Sequence, residues 1–186
     1  MRKREEPLTI WTVGHSNRSA EEFLHLVAAN GIETVADVRR FPGSRRYPQF
    51  GREKLSESLA DAQIEYSHFP ELGGRRKPRP DSTNDAWRNA AFRAYADYMS
   101  EPDFIIGVDR LVALARRKST AIMCAEALWW QCHRGLIADY LKAGGNRVIH
   151  ILSANQSQEH PFTSAARLMN GRLSYSDSEQ DPQLAF

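Results

Sequence analysis

The chain has 186 residues, 41% of them hydrophobic, and a formal net charge of +2, enough to bury one core without disulfides and too mild a charge for nucleic-acid binding through bulk charge alone. Its longest apolar stretches, such as Thr120–Cys124, are strand-sized, far below the roughly 20 residues of a membrane helix, and Met1–Pro7 passes from basic to acidic residues with no apolar signal core. A cytoplasmic protein that meets no membrane is expected, with Cys124 and Cys132 as thiols in a reducing compartment.

Leu8–Val13 reads as the first strand and ends at Gly14-His15-Ser16-Asn17. Ser19-Ala20-Glu21-Glu22 has capping-box spacing, Phe23, Leu26 and Val27 recur at helical spacing, and Gly31 stops the helix. A second strand follows over Ile32–Val38. The segment Phe41–Phe50 carries Pro42, Gly43 and Pro48 and reads as a loop, before a short helix with Leu55 and Leu59 on one face and a third strand over Ile64–Phe69. Pro70–Asp85 is a long Gly, Pro and Arg-rich loop of the kind that is either functional or mobile.

Trp87, Ala91, Ala94, Tyr95 and Tyr98 mark one amphipathic helix, and a second begins at Pro102. Thr120–Cys124 is apolar throughout, as a strand buried on both faces is. After Ala125–Cys132 comes a helix with Leu136, Ile137, Tyr140 and Leu141 inward, ended by Gly144-Gly145, and Val148–Leu152 is the fifth strand. One more short helix is expected at Thr163–Leu168, in a polar extension (153–186) that includes Asp177, Glu179 and Asp181. Alternating strands and helices predict a single α/β domain over 1–186 with its core at 8–152: a mostly parallel, doubly wound sheet of about five strands, helices on both faces.

Ligands of such sheets bind outside the carboxyl ends of the strands. At that edge the sequence puts His15-Ser16-Asn17, Asp37-Val38-Arg39, His68 with Gly73-Gly74-Arg75-Arg76, Cys124-Ala125-Glu126 and His150. His15, after Gly14, would face the cleft, with backbone N–H groups of Ser16–Ser19 free for an anion. Asp37 and Arg39 share a strand face, as a structural ion pair or as an arginine fork for an anion. Cys132-His133-Arg134 sits at a helix start, where the dipole favours a thiolate and a bound anion, so Arg134 is expected to clamp the ligand and to be dispensable for stability. Glu126, after a buried strand, needs a partner or a proton-transfer role.

Taken together, Val13-Gly14-His15-Ser16-Asn17-Arg18-Ser19, Asp37-Val38-Arg39, Phe41-Pro42, Ser44-Arg45, Pro70-Glu71-Leu72-Gly73-Gly74, Tyr95-Ala96-Asp97-Tyr98-Met99, Met123-Cys124-Ala125-Glu126, Cys132-His133-Arg134 and His150-Ile151 resemble the domain of unknown function 488 family from about Ile10 to Tyr175. The resemblance implies an α/β fold and these signature residues, and family descriptions add a link to DNA repair. It implies no reaction, substrate or cofactor.

Three functional classes follow. The first is a hydrolase or transferase acting on a phosphate- or nucleotide-bearing ligand: Arg39 and Arg134 hold the anion, Glu126 or His15 transfers protons, and Cys132 or Cys124 is the nucleophile. Ser16, Asn17, Asp37, Gly73, Gly74, Arg75 and His133 complete its candidate site. The Asp-Val-Arg motif and the later cysteine resemble rhodanese and cysteine phosphatase domains, but Trp130 stands where their closing arginine would be and Glu126 would repel an anion. The second class is a non-catalytic nucleic-acid module. It would use the segment from Val38 to Pro80, ten basic residues against five acids, with Tyr47, Phe50 and Tyr66 for stacking. The third is a metal protein drawing on His15, Cys124, Cys132, His133 or Glu126; Cys-x7-Cys-His matches no standard finger spacing, and no ligand set is assigned.

Overall fold

The computed structural model describes residues 6–43 and 45–177; Ser44, Glu179 and Asp181, used above, lie outside them. Strand β1 (Thr9–Gly14), helix α1 (Ala20–Ala29), β2 (Thr34–Asp37), α2 (Arg52–Asp61), β3 (Glu65–His68), α3 (Ala90–Tyr98), α4 (Pro102–Ala115), β4 (Thr120–Cys124), α5 (Arg134–Ala143), β5 (Arg147–Ser153) and β6 (Gln156–Glu159) follow in order. They form a six-stranded sheet in the order β3-β2-β4-β1-β5-β6. The first five are mutually parallel and β6 is antiparallel to β5.

Local chemistry sets these boundaries. Ser19 Oγ accepts from the Glu22 N–H while Glu22 Oε2 accepts from the Ser19 N–H, so α1 starts with a complete capping box. Asn89 Oδ1 accepts from the N–H groups of Ala91 and Phe92 and starts α3 three residues beyond Trp87, which stays outside it. Pro102 occupies the first turn of α4, where its missing N–H costs nothing. All five residues of β4 are buried because two strands flank it and helices cover both faces.

The pleat divides the core. Ile10, Ala36, Ile122 and Val148 pack with Tyr95, Phe104, Leu111, Leu136 and Ile137 of α3, α4 and α5. Their neighbours Val13, Val35, Ala121 and Met123 face the other way, onto Phe23 and Val27 of α1 and Leu55 and Leu59 of α2.

The expected helix at Thr163–Leu168 is not formed. Strands β7 (Arg167–Met169) and β8 (Arg172–Ser174) make a separate hairpin. Asn170 and Gly171 link them, with φ of 50° and 77°, the double left-handed geometry that a two-residue hairpin turn requires and Asn-Gly supplies.

A buried polar chain ties this region to the sheet. Arg134 Nη1 donates to Thr12 Oγ1 at 3.2 Å. Thr12 Oγ1 lies 2.7 Å from His150 Nδ1, His150 Nε2 lies 2.8 Å from His160 Nδ1, and His160 Nε2 lies 2.9 Å from Asp139 Oδ1. Asp139 also accepts from Thr163 N–H, Thr163 Oγ1–H and the Tyr175 hydroxyl. If each link donates toward Asp139, every member of the chain from Thr12 onward is satisfied with both histidines neutral.

Candidate functional site

Strand order decides where a cleft can open. The chain leaves β1 through α1 on one face of the sheet and leaves the adjacent β4 through α5 on the other. The carboxyl ends of β1 and β4 are therefore the topological switch point, where the two connections diverge. A cleft of about 840 Å³ lies at this edge, lined by residues that include His15, Ser16, Asn17, Arg39, Gly74, Arg75, Cys124, Glu126, Cys132 and His133.

The floor between β1 and β4 is closely built. The N–H groups of His15 and Ser16 donate to the carbonyls of Cys124 and Ala125, extending the ladder past the strand ends. A Cβ on Gly14 would stand 1.9 Å from the Glu126 carbonyl oxygen, so only glycine permits this approach. Ser16 follows with φ 52°, a left-handed conformation held by these bonds at the cleft edge.

His15 is buried and stacked on Phe50 with ring centroids 4.1 Å apart. Burial lowers its pKa to about 4, so the ring is neutral at physiological pH. Its Nδ1–H donates to the Ser16 carbonyl at 2.9 Å, which leaves the lone pair on Nε2, 3.3 Å from Arg39 Nη1. Asp37 receives Arg39 Nε at 2.9 Å and Nη2 at 2.6 Å, and Tyr66 donates to it at 2.8 Å. Asp37 stands behind the cleft and fixes the Arg39 fork, and Arg39 is the member of the pair that lines it.

Cys124 ends β4, while Cys132 and His133 lead into α5. The Sγ atoms of the two cysteines and His133 Nδ1 all lie within 4.8 Å of one another. Burial opposes ionisation of Cys132, but its hydrogen bonds with Cys124 and His133 and the nearby Arg134 charge outweigh it and hold that thiol well below the ordinary range. The hydrogen bond to Cys132, with burial, pushes Cys124 up. The pair gives up one proton readily and the second with difficulty. Glu126 lines the cleft as an exposed side chain, so its carboxylate needs no ion partner.

Several expectations need correction. Arg134 does not line the cleft: it is 1% exposed, with its guanidinium turned inward onto Thr12 Oγ1 and the carbonyls of Glu126 and Ala127. A cation so enclosed holds the loop after β4 and offers no edge to a ligand. The supposed nest of free N–H groups is mostly spent too, since Ser16 N–H goes to Ala125, Arg18 N–H to His15 and Ser19 N–H to Glu22. Gly73 packs against the Arg40 backbone beside the cleft, and Gly74 lines it. Arg76 turns away, its guanidinium 3.4 Å over the Tyr98 ring and bonded to the Gly73 and Glu71 carbonyls. With Tyr95 and Tyr98 donating to the Leu72 and Glu71 carbonyls, the start of the long loop is anchored on α3.

Of the proposed stacking residues, Tyr47 lines the cleft, Phe50 is buried under His15 and Tyr66 is engaged with Asp37. His68 donates to the Arg39 carbonyl, and His150 stacks on buried Trp129 in the polar chain described above. Trp130 is exposed and outside the lining. Arg40, Phe41, Arg46, Phe92, Tyr95 and Gln131 also line the cleft. The loop after β2 had to deliver Arg46 and Tyr47 to the carboxyl edge, so the alternation of elements carried that signal.

No helix among the described residues is long and apolar enough to cross a membrane. No curated protein and no solved structure matches the chain. A family model, "Domain of unknown function DUF488", matches residues 19–141, more than half of the sequence and most of the cleft-forming segments. The chain therefore belongs to the DUF488 family.

Proposed function

We propose that the cleft binds a phosphate-bearing ligand of about nucleotide size and that the protein is a hydrolase or transferase acting on it. The observation that carries this reading is the charge of the lining: Arg40, Arg46 and Arg75, with Arg39 paired to Asp37 behind it, against Glu126, the one acid among the described lining residues. Arginine suits this task because its planar fork matches phosphate oxygens in pairs. The volume falls within the range of small-ligand sites, and Phe41, Tyr47, Phe92 and Tyr95 supply apolar and aromatic wall for a base or sugar. Glu126 is the candidate proton-transfer group. His15 positions Arg39, and Cys132 is the better nucleophile of the two thiols.

A nucleic-acid module is the second reading, favoured by Phe41, 67% exposed at the cleft, where a base of an extended strand could stack. Calorimetric titration with pyrophosphate, a nucleoside monophosphate and a single-stranded oligonucleotide separates the two. Arg46→Gln with Arg75→Gln is expected to weaken pyrophosphate binding by about 100-fold, roughly a tenfold loss per charge-assisted pair. Arg79→Gln, outside the cleft and beside Asp81, should leave it unchanged. Equal losses in both variants would contradict the cleft, and oligonucleotide binding far tighter than the mononucleotide's would favour the module.

A further inference from the structure

We infer that Cys124, Cys132 and His133 form a three-ligand site for a thiophilic divalent cation, with zinc the best fit, at the cleft floor. The inference is independent of the proposed phosphate ligand. It starts from geometry: His133 Nδ1 stands 3.6 Å from Cys132 Sγ and 4.0 Å from Cys124 Sγ. Ligand atoms around tetrahedral zinc, with Zn–S of about 2.3 Å and Zn–N of about 2.0–2.1 Å, stand about 3.5–3.8 Å apart. The histidine nitrogen thus stands close to the separations that one ion imposes, and the two sulfur atoms lie within 4.8 Å of each other.

The second contact of the histidine agrees. His133 Nε2 lies 3.1 Å from the Val38 carbonyl, which can only accept, so Nε2 carries the proton and Nδ1 the lone pair. A ligating histidine that donates its other N–H to a backbone carbonyl is a usual arrangement around zinc, and it fixes both tautomer and ring angle. Tyr95 packs on the ring, with centroids 5.1 Å apart. Gly74 keeps one side clear, since a Cβ there would come within 3.1 Å of Nδ1.

Elements distant in sequence supply the ligands. Cys124 is fixed by β4 and the Cys132-His133 pair by the turn into α5. Two thiolates and one neutral imidazole suit zinc better than the hard oxygen-seeking cations. All three residues line the cleft, so a fourth coordination position would open toward it. Three protein ligands with one open position is the pattern of reactive zinc sites, and a closed structural site takes four.

The test uses the full chain, produced without a histidine tag and kept reduced and anaerobic. Titrated with Zn2+ against a chromophoric chelator, it is expected to take up one equivalent. Co2+ in its place is expected to show the intense visible bands and the thiolate-to-metal absorption of tetrahedral sulfur ligation. Zn2+ should shield both thiols from a disulfide reagent and EDTA should expose them. Cys124→Ser, Cys132→Ser and His133→Gln should each weaken uptake, with folding checked by circular dichroism. Because the wild-type titration needs no variant, misfolding of a mutant cannot mask the answer. Absence of Zn2+ uptake by reduced wild-type protein, or retention of the ion by a folded Cys124→Ser/Cys132→Ser variant, overturns the site; neither result would alter pyrophosphate binding by the arginines.

Discussion

Asp139→Ala is expected to lower the free energy of unfolding by about 3–5 kcal/mol, the size typical of removing one partner from a buried charged network. Asp139 is fully buried and accepts four hydrogen bonds, from His160 Nε2, Thr163 N–H, Thr163 Oγ1 and the Tyr175 hydroxyl. Each donor left without water or a partner costs about 1–3 kcal/mol, and relaxation around the smaller side chain recovers part of the sum. The loss propagates, because His160 passes its bond on to His150, Thr12 and Arg134. Asp139→Asn keeps one acceptor oxygen and should cost less. Urea unfolding of the three proteins measures this, and a change below about 1 kcal/mol for Asp139→Ala would mean that the network adds little to stability.

Acid should unfold the protein early. Burial lowers the pKa of His15 from 6.5 to about 4 and that of His150 from 6.5 to about 2. Below pH 6.5 the unfolded chain binds a proton at each site that the folded chain refuses. Stability from both groups is therefore complete above that pH and falls as pH drops. Each contributes a slope of about 1.4 kcal/mol per pH unit, or about 3 kcal/mol by pH 4. His15 then stops contributing, while His150 continues toward pH 2. Together the losses rival the whole stability of an ordinary domain, about 5–15 kcal/mol. His15→Phe should roughly halve the slope between pH 6.5 and 4.5. Urea midpoints that stay flat over that window in the wild type would contradict the burial of both rings.

Much of the fold was legible because its strongest elements satisfy local and tertiary demands together. Thr120–Cys124 reads as a buried strand since the centre of a parallel sheet needs apolar residues on both faces. The Ser19–Glu22 box and Pro102 mark helix starts by chemistry that needs no tertiary contact. Strand β6 is four exposed polar residues, Gln156–Glu159, held by pairing along one edge, so it carries no hydrophobic period. The β7–β8 hairpin did carry its signal, Asn170-Gly171, just beyond the Thr163–Leu168 segment that reads as a helix.

For the candidate site, topology was the readable part: alternating elements bring His15, Arg39, Gly74 and Cys124 to one edge. Side-chain direction was not. Arg134 at a helix start reads as a clamp for a ligand in the cleft, yet α5 lies so deep that residues from Arg134 to Asp139 are all buried, and the guanidinium turns to backbone carbonyls. The closeness of His133 to both thiols was equally hidden, because it depends on how the loop from Ala125 to Gln131 folds back after β4.

The most direct test of the central claim, that the arginine-lined cleft holds a phosphate-bearing anion, is a crystal of the protein soaked in tungstate and phased on the anomalous signal of tungsten. The account predicts the anion inside the cleft, within hydrogen-bonding distance of at least two of Arg39, Arg40, Arg46 and Arg75, and displaced by a nucleoside monophosphate. Tungstate bound only at outer arginines such as Arg79 or Arg172, with the cleft holding none, would contradict it.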